Sequence, residues 1–506
     1  MRPEFVQQMI TVTRDLAARP PDAGRGIRPA PAGPADPGTG ARWCPASWQR
    51  LEGADVFAAR DGTARALVIA GAGPAAARFP GEIVLSGKRP VKLAPFGPET
   101  CAALRDLFPW SAPGRLTPER PSFGCGDRLG AATPGHLRAL RPYAATPVLA
   151  QQSVRELTLT GRAFREVVDA ATWGVFQEGY QEGWGADGDH LKSAAEVRDM
   201  LAAGATFITL DLSLCLGRPE AAPALPAGLR AHAGRRWSAR GIELAVADAD
   251  IERFWQVYGS AFPFIEEAAA HCQSARGSDG CDLEVSVDET PETTRPVDHL
   301  LLALELRRRG IPVASVAPRF PGEFQKAIDY VGDLGQFERE LARHAAIARE
   351  FGHKLGIHSG SDKFTAFPLI GRHGGDCLHV KTAGTSWLEA LRVIAAADPA
   401  LFRICWAQAA EGFPRAKQYY HIRTELPDVA GADAVEDSGL PALLDQDAPR
   451  QFLHITYGEI LRAPASGGGT LGDRVQASLA AHEEEYAAAL IAHFRHHAES
   501  LGLPAR

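Results

Sequence analysis

The feature that most constrains this chain is a rhythm. From about residue 119 onward, short apolar runs recur, most followed by a helical pattern and most ending in polar or titratable residues. The runs are PSFGCGD (121–127), TPVLAQQ (146–152), TFITLDLS (206–213), CDLEVSVDE (281–289), IPVASVAPR (311–319), HKLGIHS (353–359) and DCLHVKT (376–382). An irregular unit, GVFQEGYQEGWGADGDH (174–190), stands third in order and reads as mostly helix, then loop. Strands that alternate with helices point to a parallel sheet with helical crossovers. About eight such units predict a closed (β/α)8 barrel of the TIM type, with an open doubly wound sheet as the alternative. The run ends favour the barrel. They finish in Asp127-Arg128, Gln151-Gln152, Asp189-His190, Asp211, Asp288-Glu289, Arg319, His358 and His379-Val-Lys381. In a barrel these ends converge on the face where active sites sit.

Side chains alternate along a strand, which sorts the runs further. His379 and Lys381 share a face opposite Leu378 and Val380. Glu284, Ser286 and Asp288 share a face opposite Val285 and Val287, and His358 shares one with Gly356. The polar sets are assigned to the barrel interior and the aliphatic sets to the helix layer.

The rest of the chain decorates this barrel, because 506 residues exceed one compact core of ordinary size. Residues 1–118 read as an N-terminal arm and a small mixed or β-rich domain. Within them 1–18 form a short helix and the Pro/Gly/Ala-dense 19–40 a linker. Residues 119–400 make the barrel and 401–506 a C-terminal helical extension, in which FRICWAQAAEGFPRAKQYYHIRTELPDV looks helical and His454 sits in a short apolar context. ALVIAGAGPAAARFPG (66–81) imitates a dinucleotide-binding turn. Pro80-Gly81 would end its helix after about one turn, however, and no βαβ unit of about 30 residues follows, so a Gly-rich turn is the better reading.

A net charge of −7 argues against nucleic acid as the main partner. The N-terminus shows no signal-peptide pattern, and no stretch approaches the roughly 18–20 apolar residues of a membrane span. Eight scattered cysteines without a CxxC pair read as reduced thiols, and the expected location is the cytoplasm.

Chemistry concentrates in a few segments. GWGADGDHLKS (183–193) places His190 beside Asp187 and Asp189; it lacks the terminal Glu of a calcium loop and suits a borderline divalent ion such as Mn, Co, Ni or Zn. Alone it is a solvated loop, but His358 and His379 on predicted neighbouring strand ends strengthen the metal reading. In VDET (287–290) one carboxylate could bind metal while the other moves protons; an acidic helix N-terminus is the alternative. Arg128, Arg319, Lys363 and Lys381 bring positive charge from four strand ends, which fits an anionic, oxygen-rich ligand.

FGCGDRLGAATPGHLRA (123–139), PVLAQQSVREL (147–157), DAATWGVFQEGYQEGWGADGDHLK (169–192), VSVDET (285–290), APRFPGEFQKAIDYVGDL (317–334), HSGSDKF (358–364) and HVKTAGTSWLEALRV (379–393) resemble the tagaturonate epimerase family. The resemblance spans about 120–400. It implies a barrel enzyme, metal-assisted, that interconverts D-tagaturonate and D-fructuronate in hexuronate catabolism. One segment departs: after TFITLDLS the chain runs Leu214-Cys215-Leu216-Gly217, where the family carries further polar residues.

The two keto acids differ at C4, which is not adjacent to the C2 ketone, so simple proton abstraction fails there. A retro-aldol route through C3–C4 needs a divalent metal and a carboxylate base. Transient oxidation at C4 would need a nicotinamide, which the weak 71–76 motif makes the poorer choice. The expected roles are therefore metal ligation by His190, Asp288, His358 and His379, and acid–base work by Asp189 and Glu289. Substrate binding falls to Asp127, Arg128, Gln152, Arg319, Lys363 and Lys381. A metal-dependent aldose–ketose isomerase and a non-catalytic sugar-acid binding protein are the rival readings.

Overall fold

A computed structural model describes residues 1–18, 41–51, 53–276, 280–290 and 292–506. The linker expected at 19–40 lies outside the described residues. An amphipathic helix, Pro3–Ala17, leads into an antiparallel sheet of β1 (Ala41–Trp43), β2 (Gln49–Leu51), β3 (Ala54–Asp61), β4 (Ala64–Gly71), β5 (Glu82–Leu85) and β6 (Val91–Pro95). One sheet face packs on that first helix through Phe5, Met9, Phe57 and Val68. The other packs on the barrel's outer helix Phe164–Gln177 through Val56, Leu67, Trp173 and Phe176. The Gly-rich 66–81 stretch forms β4 and a helix of only four residues, Pro74–Ala77, within this antiparallel sheet. It has neither the parallel neighbour nor the long helix that a dinucleotide turn requires.

The barrel is closed. Its strands are β7 (Ser122–Cys125), β8 (Thr146–Ser153), β9 (Gly185–Leu191) and β10 (Phe207–Asp211), then, after a small hairpin of β11 (Arg236–Ala239) and β12 (Ile242–Ala245), β13 (Asp282–Ser286), β14 (Ser315–Ala317), β15 (Lys354–Ile357) and β16 (Leu378–Thr382). All barrel pairs are parallel, and β16 closes on β7. The irregular third unit is a correction to the sequence reading: GADGDHL is not a loop but strand β9, held between β8 and β10. Glycine and aspartate disfavour strands intrinsically, but pairing on both edges overrides propensity.

Helices continue past the barrel to Ser500. The helix Glu483–Ser500 lies against Thr133–Leu140 and Thr385–Ala397, with Phe494 on Phe123. Helix Pro399–Ala416 contains Pro414 and is followed by a single 3₁₀ turn. The chain from Tyr420 to Asp428 is therefore not the continuous α-helix its composition suggests. Cys272 and Cys281 form a disulfide, which corrects the reading of uniformly reduced thiols; the other six cysteines are free.

Three histidines are sealed between the outer helices and the base of β15. His299 Nδ1 lies 2.9 Å from His344 Nδ1, its Nε2 lies 2.9 Å from His353 Nε2, and His344 Nε2 lies 3.1 Å from the Thr294 carbonyl. One consistent set of neutral tautomers fits these contacts: each ring donates once toward Thr294, and His299 and His344 each accept once from the ring behind. Burial pushes His344 to about 4 and His353 to about 3, and it holds His299 well below the usual histidine range.

Candidate active site

The barrel interior fills in layers, and the middle layer is charged. Lys381 Nζ on β16 lies 2.7 Å from Asp187 Oδ2, 2.9 Å from Asp189 Oδ1 and 2.9 Å from Glu284 Oε1, and it donates to Thr209. All four side chains around it are buried. Burial opposes the Lys381 charge, but three carboxylates hold its pKa well above the usual lysine range. The ammonium in turn keeps Glu284 far below its ordinary range despite burial. Asp187 goes the other way: burial raises it, and Lys381 compensates incompletely because Asp189 and Glu284 share the same cation. Gly356 makes room for this layer, since a Cβ there would stand 2.7 Å from Glu284 Oε2.

Above it, at the strand ends, His358 Nε2 lies 2.7 Å from Glu284 Oε1 and its Nδ1 lies 3.2 Å from Asp288 Oδ2. A ring with a carboxylate at each nitrogen favours the imidazolium. Burial works against that charge, yet Asp288 and Glu284 raise His358 to about 10. The His190 ring stands nearly perpendicular to it, 5.0 Å away. His190 Nδ1 is 3.8 Å from Asp211 Oδ2, Lys192 Nζ is 3.1 Å from the same oxygen and 3.7 Å from Glu289 Oε2.

Alternation along β9 should send Asp189 and His190 to opposite faces. Both line the same cavity because His190 adopts φ 55°, in the left-handed region that non-glycine residues avoid, and the β9–β10 register shifts there. Ser359, at φ 51°, does the same after His358. Strained positions of this kind, about 1–3 kcal/mol each, persist where surrounding structure imposes them, and they cluster at functional sites.

The cavity at this face holds about 250 Å³. It adjoins a second space of about 350 Å³ that shares Arg155, Glu289, Lys326, His358, Ser359 and Tyr420 with it. His190, Asp288 and His358 each offer a ligand atom within 4.8 Å of the other two, and so do His190, Asp211 and Glu289. Two imidazoles with carboxylates suit a borderline divalent cation. A third trio, Asp362, His493 and His497, does not fit: both His497 nitrogens are engaged, Nε2 by the Asp362 N–H at 3.0 Å and Nδ1 with the His493 carbonyl at 2.9 Å, and Asp362 is paired with Arg450.

The residues singled out from sequence divide clearly. Asp189, Glu289, His190, Asp288, His358, Arg128 and Lys381 line the two spaces. Arg319 lines only the second, where its guanidinium donates to the Thr290 carbonyl and ties down the Asp288–Glu289 loop. Four others are not brought there. His379 sits one layer deeper, 2.8 Å from Ser122 and against Phe207, and burial lowers it to about 3. Asp127 accepts from the N–H groups of Leu129, Gly130 and Ala132, stabilising its own loop.

Gln152 points outward to Arg162, because an irregularity between Val148 and Ala150 shifts the register and turns Gln151 inward instead. Lys363 is fully buried and donates to the carbonyls of Gln325, Ile328 and Ser361 at 2.6–2.8 Å. Burial pushes it down to about 7, but three acceptors need the three N–H groups of an ammonium. The helix expected directly after VDET begins only at Pro296, so Asp288 and Glu289 are free of capping.

Several site residues escaped the sequence reading. Glu284 was legible as an interior strand position and Asp187 was read as loop, and neither was legible as a partner of one lysine. Arg155 and Lys326 lie within resemblance segments, but on a helix start and a long loop whose direction strand alternation does not give, and Tyr420 comes from the C-terminal extension. The divergent Leu214–Gly217 stretch lines neither space; Leu214 is 53% exposed and Gly217 N donates to Val257 O.

A charge-rich cavity at the C-terminal mouth of a closed parallel barrel defines a TIM-barrel enzyme acting on a small polar substrate. The profile of the tagaturonate epimerase family, UxaE, matches residues 44–221 and 227–501. A tagaturonate/fructuronate epimerase of Thermotoga maritima is 39% identical over 416 residues, covering 80% of this chain and 85% of that one. The crystal structure of fructuronate-tagaturonate epimerase UxaE from Cohnella laeviribosi with one glycerol superposes with a TM-score of 0.86 at 38% identity, covering 98% of this chain and 99% of that one. Its native form matches equally well, with a TM-score of 0.86. The chain belongs to the tagaturonate epimerase family and is an enzyme of the isomerase class.

Proposed function

We propose that this enzyme interconverts D-tagaturonate and D-fructuronate by cleaving and remaking the C3–C4 bond, with a divalent metal at the barrel mouth. The observation that carries the reading is the convergence of His190, Asp288 and His358 beside Glu289 where two adjoining spaces meet at the strand ends. These three residues would hold the ion, His358 giving up the proton it shares with Asp288 while its other nitrogen stays on Glu284, with Mn, Co, Ni or Zn as the candidates. Bound there, it would supply positive charge to the ketone and neighbouring hydroxyl oxygens as electron density gathers on them.

The chain's own groups do the rest. Glu289, whose only ion-pair partner among the described residues is Lys192 at 3.7 Å, takes the O4 proton as C3–C4 breaks. The bond's electron pair passes to C3 and the C2 carbonyl, leaving a three-carbon enediolate and an aldehyde at C4. Rotation of the aldehyde presents its other face. The C3–C4 bond then re-forms, and Glu289 returns the proton to O4. Asp189 is the weaker base: although burial raises it, Lys381 pulls it below the ordinary carboxylate range, so it orients hydroxyls instead. Lys381 holds this acidic layer rigid and presents fixed positive charge beneath the substrate. Arg128, bound to Glu156 at 2.8 Å and stacked on Tyr457, forms one cavity wall.

His358→Ala tests the assignment. Bound metal and turnover should fall together; full metal content with normal turnover would remove His358 from the site.

A further inference from the structure

The cations lining the cavity are not equivalent. Lys381 is matched by three carboxylates, Lys192 by Asp211 and Glu289, and Arg128 by Glu156. Arg155 and Lys326 line both spaces, yet among the described residues neither forms an ion pair. Arg155 donates to the Tyr419 carbonyl at 3.2 Å and lies 5.4 Å from the Tyr420 ring centre. Lys326 is half-buried and donates to Ser359 Oγ at 2.8 Å. An ammonium has three N–H groups, so this leaves donors for a ligand. Burial lowers the Lys326 pKa, and Glu156, Glu289 and Asp288, none of them within ion-pair distance, do not offset it.

The cavity therefore offers two kinds of partner. His190, Asp211, Glu289 and His358 line it with groups for a cation and for hydroxyls, and Arg155 and Lys326 line it as cations without an ion pair among the described residues. A ligand that satisfies both sets must carry hydroxyl or carbonyl oxygens and an anion. We infer that Lys326 and Arg155 form the clamp for the terminal carboxylate of the substrate, and so set the preference for a keto acid over the neutral ketose of the same configuration. This rests on the keto-hexuronate reading above. The two cations come from segments whose direction strand alternation does not give: the helix start at 154–156, and the loop after β14, which Lys363 anchors through the Gln325 and Ile328 carbonyls. Tyr420, from the C-terminal extension, closes the cavity beside them. The buried Lys363 is thus a positioning residue for the clamp.

The test is equilibrium binding by calorimetry of D-tagaturonate and of D-tagatose, in which a hydroxymethyl group replaces the carboxylate. Wild type, Lys326→Met, Lys326→Arg and Arg155→Met are compared, with melting temperature as the folding control. Loss of a charge-assisted hydrogen bond predicts that Lys326→Met weakens tagaturonate roughly 10- to 100-fold and tagatose by less than about 3-fold. Lys326→Arg should recover part of the loss. Equal weakening of both ligands, or unchanged tagaturonate affinity in both Met variants, would overturn the clamp. All of the compared proteins carry Glu289→Gln to hold back turnover during the titration, so failed interconversion by the unmodified enzyme alongside selective loss of acid binding would sink the reaction and leave the clamp standing. If Lys326→Met does not fold, Arg155→Met carries the same comparison.

Discussion

His190 and His358 at the barrel mouth and His299, His344 and His353 in the helix layer are all largely sequestered rings near other histidines, yet their surroundings oppose each other. In the helix layer no carboxylate among the described residues joins the chain of rings, each ring hydrogen-bonds the next, and the row ends on a backbone carbonyl. Burial then wins, and the rings stay neutral. At the mouth, Glu284 and Asp288 flank His358, and the backbone is forced to φ 55° at His190 and 51° at Ser359. The first arrangement pairs the rings with one another and with a carbonyl and is a packing solution. The second leaves ligand atoms facing a cavity, which is what a site for an external cation and substrate requires. Proximity of histidines says little by itself; the neighbours decide.

The largest effect should come from breaking the mouth. Glu289→Gln keeps the shape and removes the base, so kcat should fall about 10²- to 10⁴-fold with little change in melting temperature. A kcat within a few-fold of wild type would pass the proton-transfer role to another group, Asp189 first. Lys381→Met attacks the layer beneath, leaving Asp187 and Asp189 buried without their lysine and Glu284 with His358 alone. Removing one partner of a buried ion pair costs about 3–5 kcal/mol, so a marked drop in the denaturation midpoint accompanies loss of activity. An unchanged midpoint would mean that those carboxylates are not jointly ionised.

Isotope labelling sharpens the mechanism. Substrate deuterated at C4 should retain its label through epimerisation in ordinary water, because C3–C4 breaks and C4–H does not. Loss of label to solvent would indicate a route through a C4 carbanion.

The smallest effect belongs to the helix layer. Unfolded histidines bind protons near 6.5, whereas His344 and His353 hold out to about 4 and about 3. The unfolded state therefore binds more protons between these values, and stability falls as pH drops from about 6.5 toward 4. His353→Gln should lower the melting temperature at neutral pH and flatten its decline over that window, without altering metal content. An unchanged slope would detach the acid sensitivity from this network.

Much of the barrel was legible in sequence because buried parallel strands leave short apolar runs, and their polar ends mark one face. What was lost was lost to geometry that alternation cannot carry. A register shift in β8 exchanged Gln151 for Gln152. A left-handed residue placed Asp189 and His190 together. Depth along a strand separated His358, at the mouth, from His379, one layer down against Phe207, though both are strand histidines pointing inward. Lys363 looked like a ligand for substrate because its neighbours are polar, but all of its donors are consumed by carbonyls. Arg155, Lys326 and Tyr420 meet only through tertiary structure.

The most direct test follows D-tagaturonate and D-fructuronate by NMR with the purified enzyme, before and after removal of bound metal. Interconversion in both directions that stops on chelation and returns with Mn, Co, Ni or Zn is the predicted result. Undiminished interconversion by fully metal-depleted enzyme, or an aldose as the product, would contradict it.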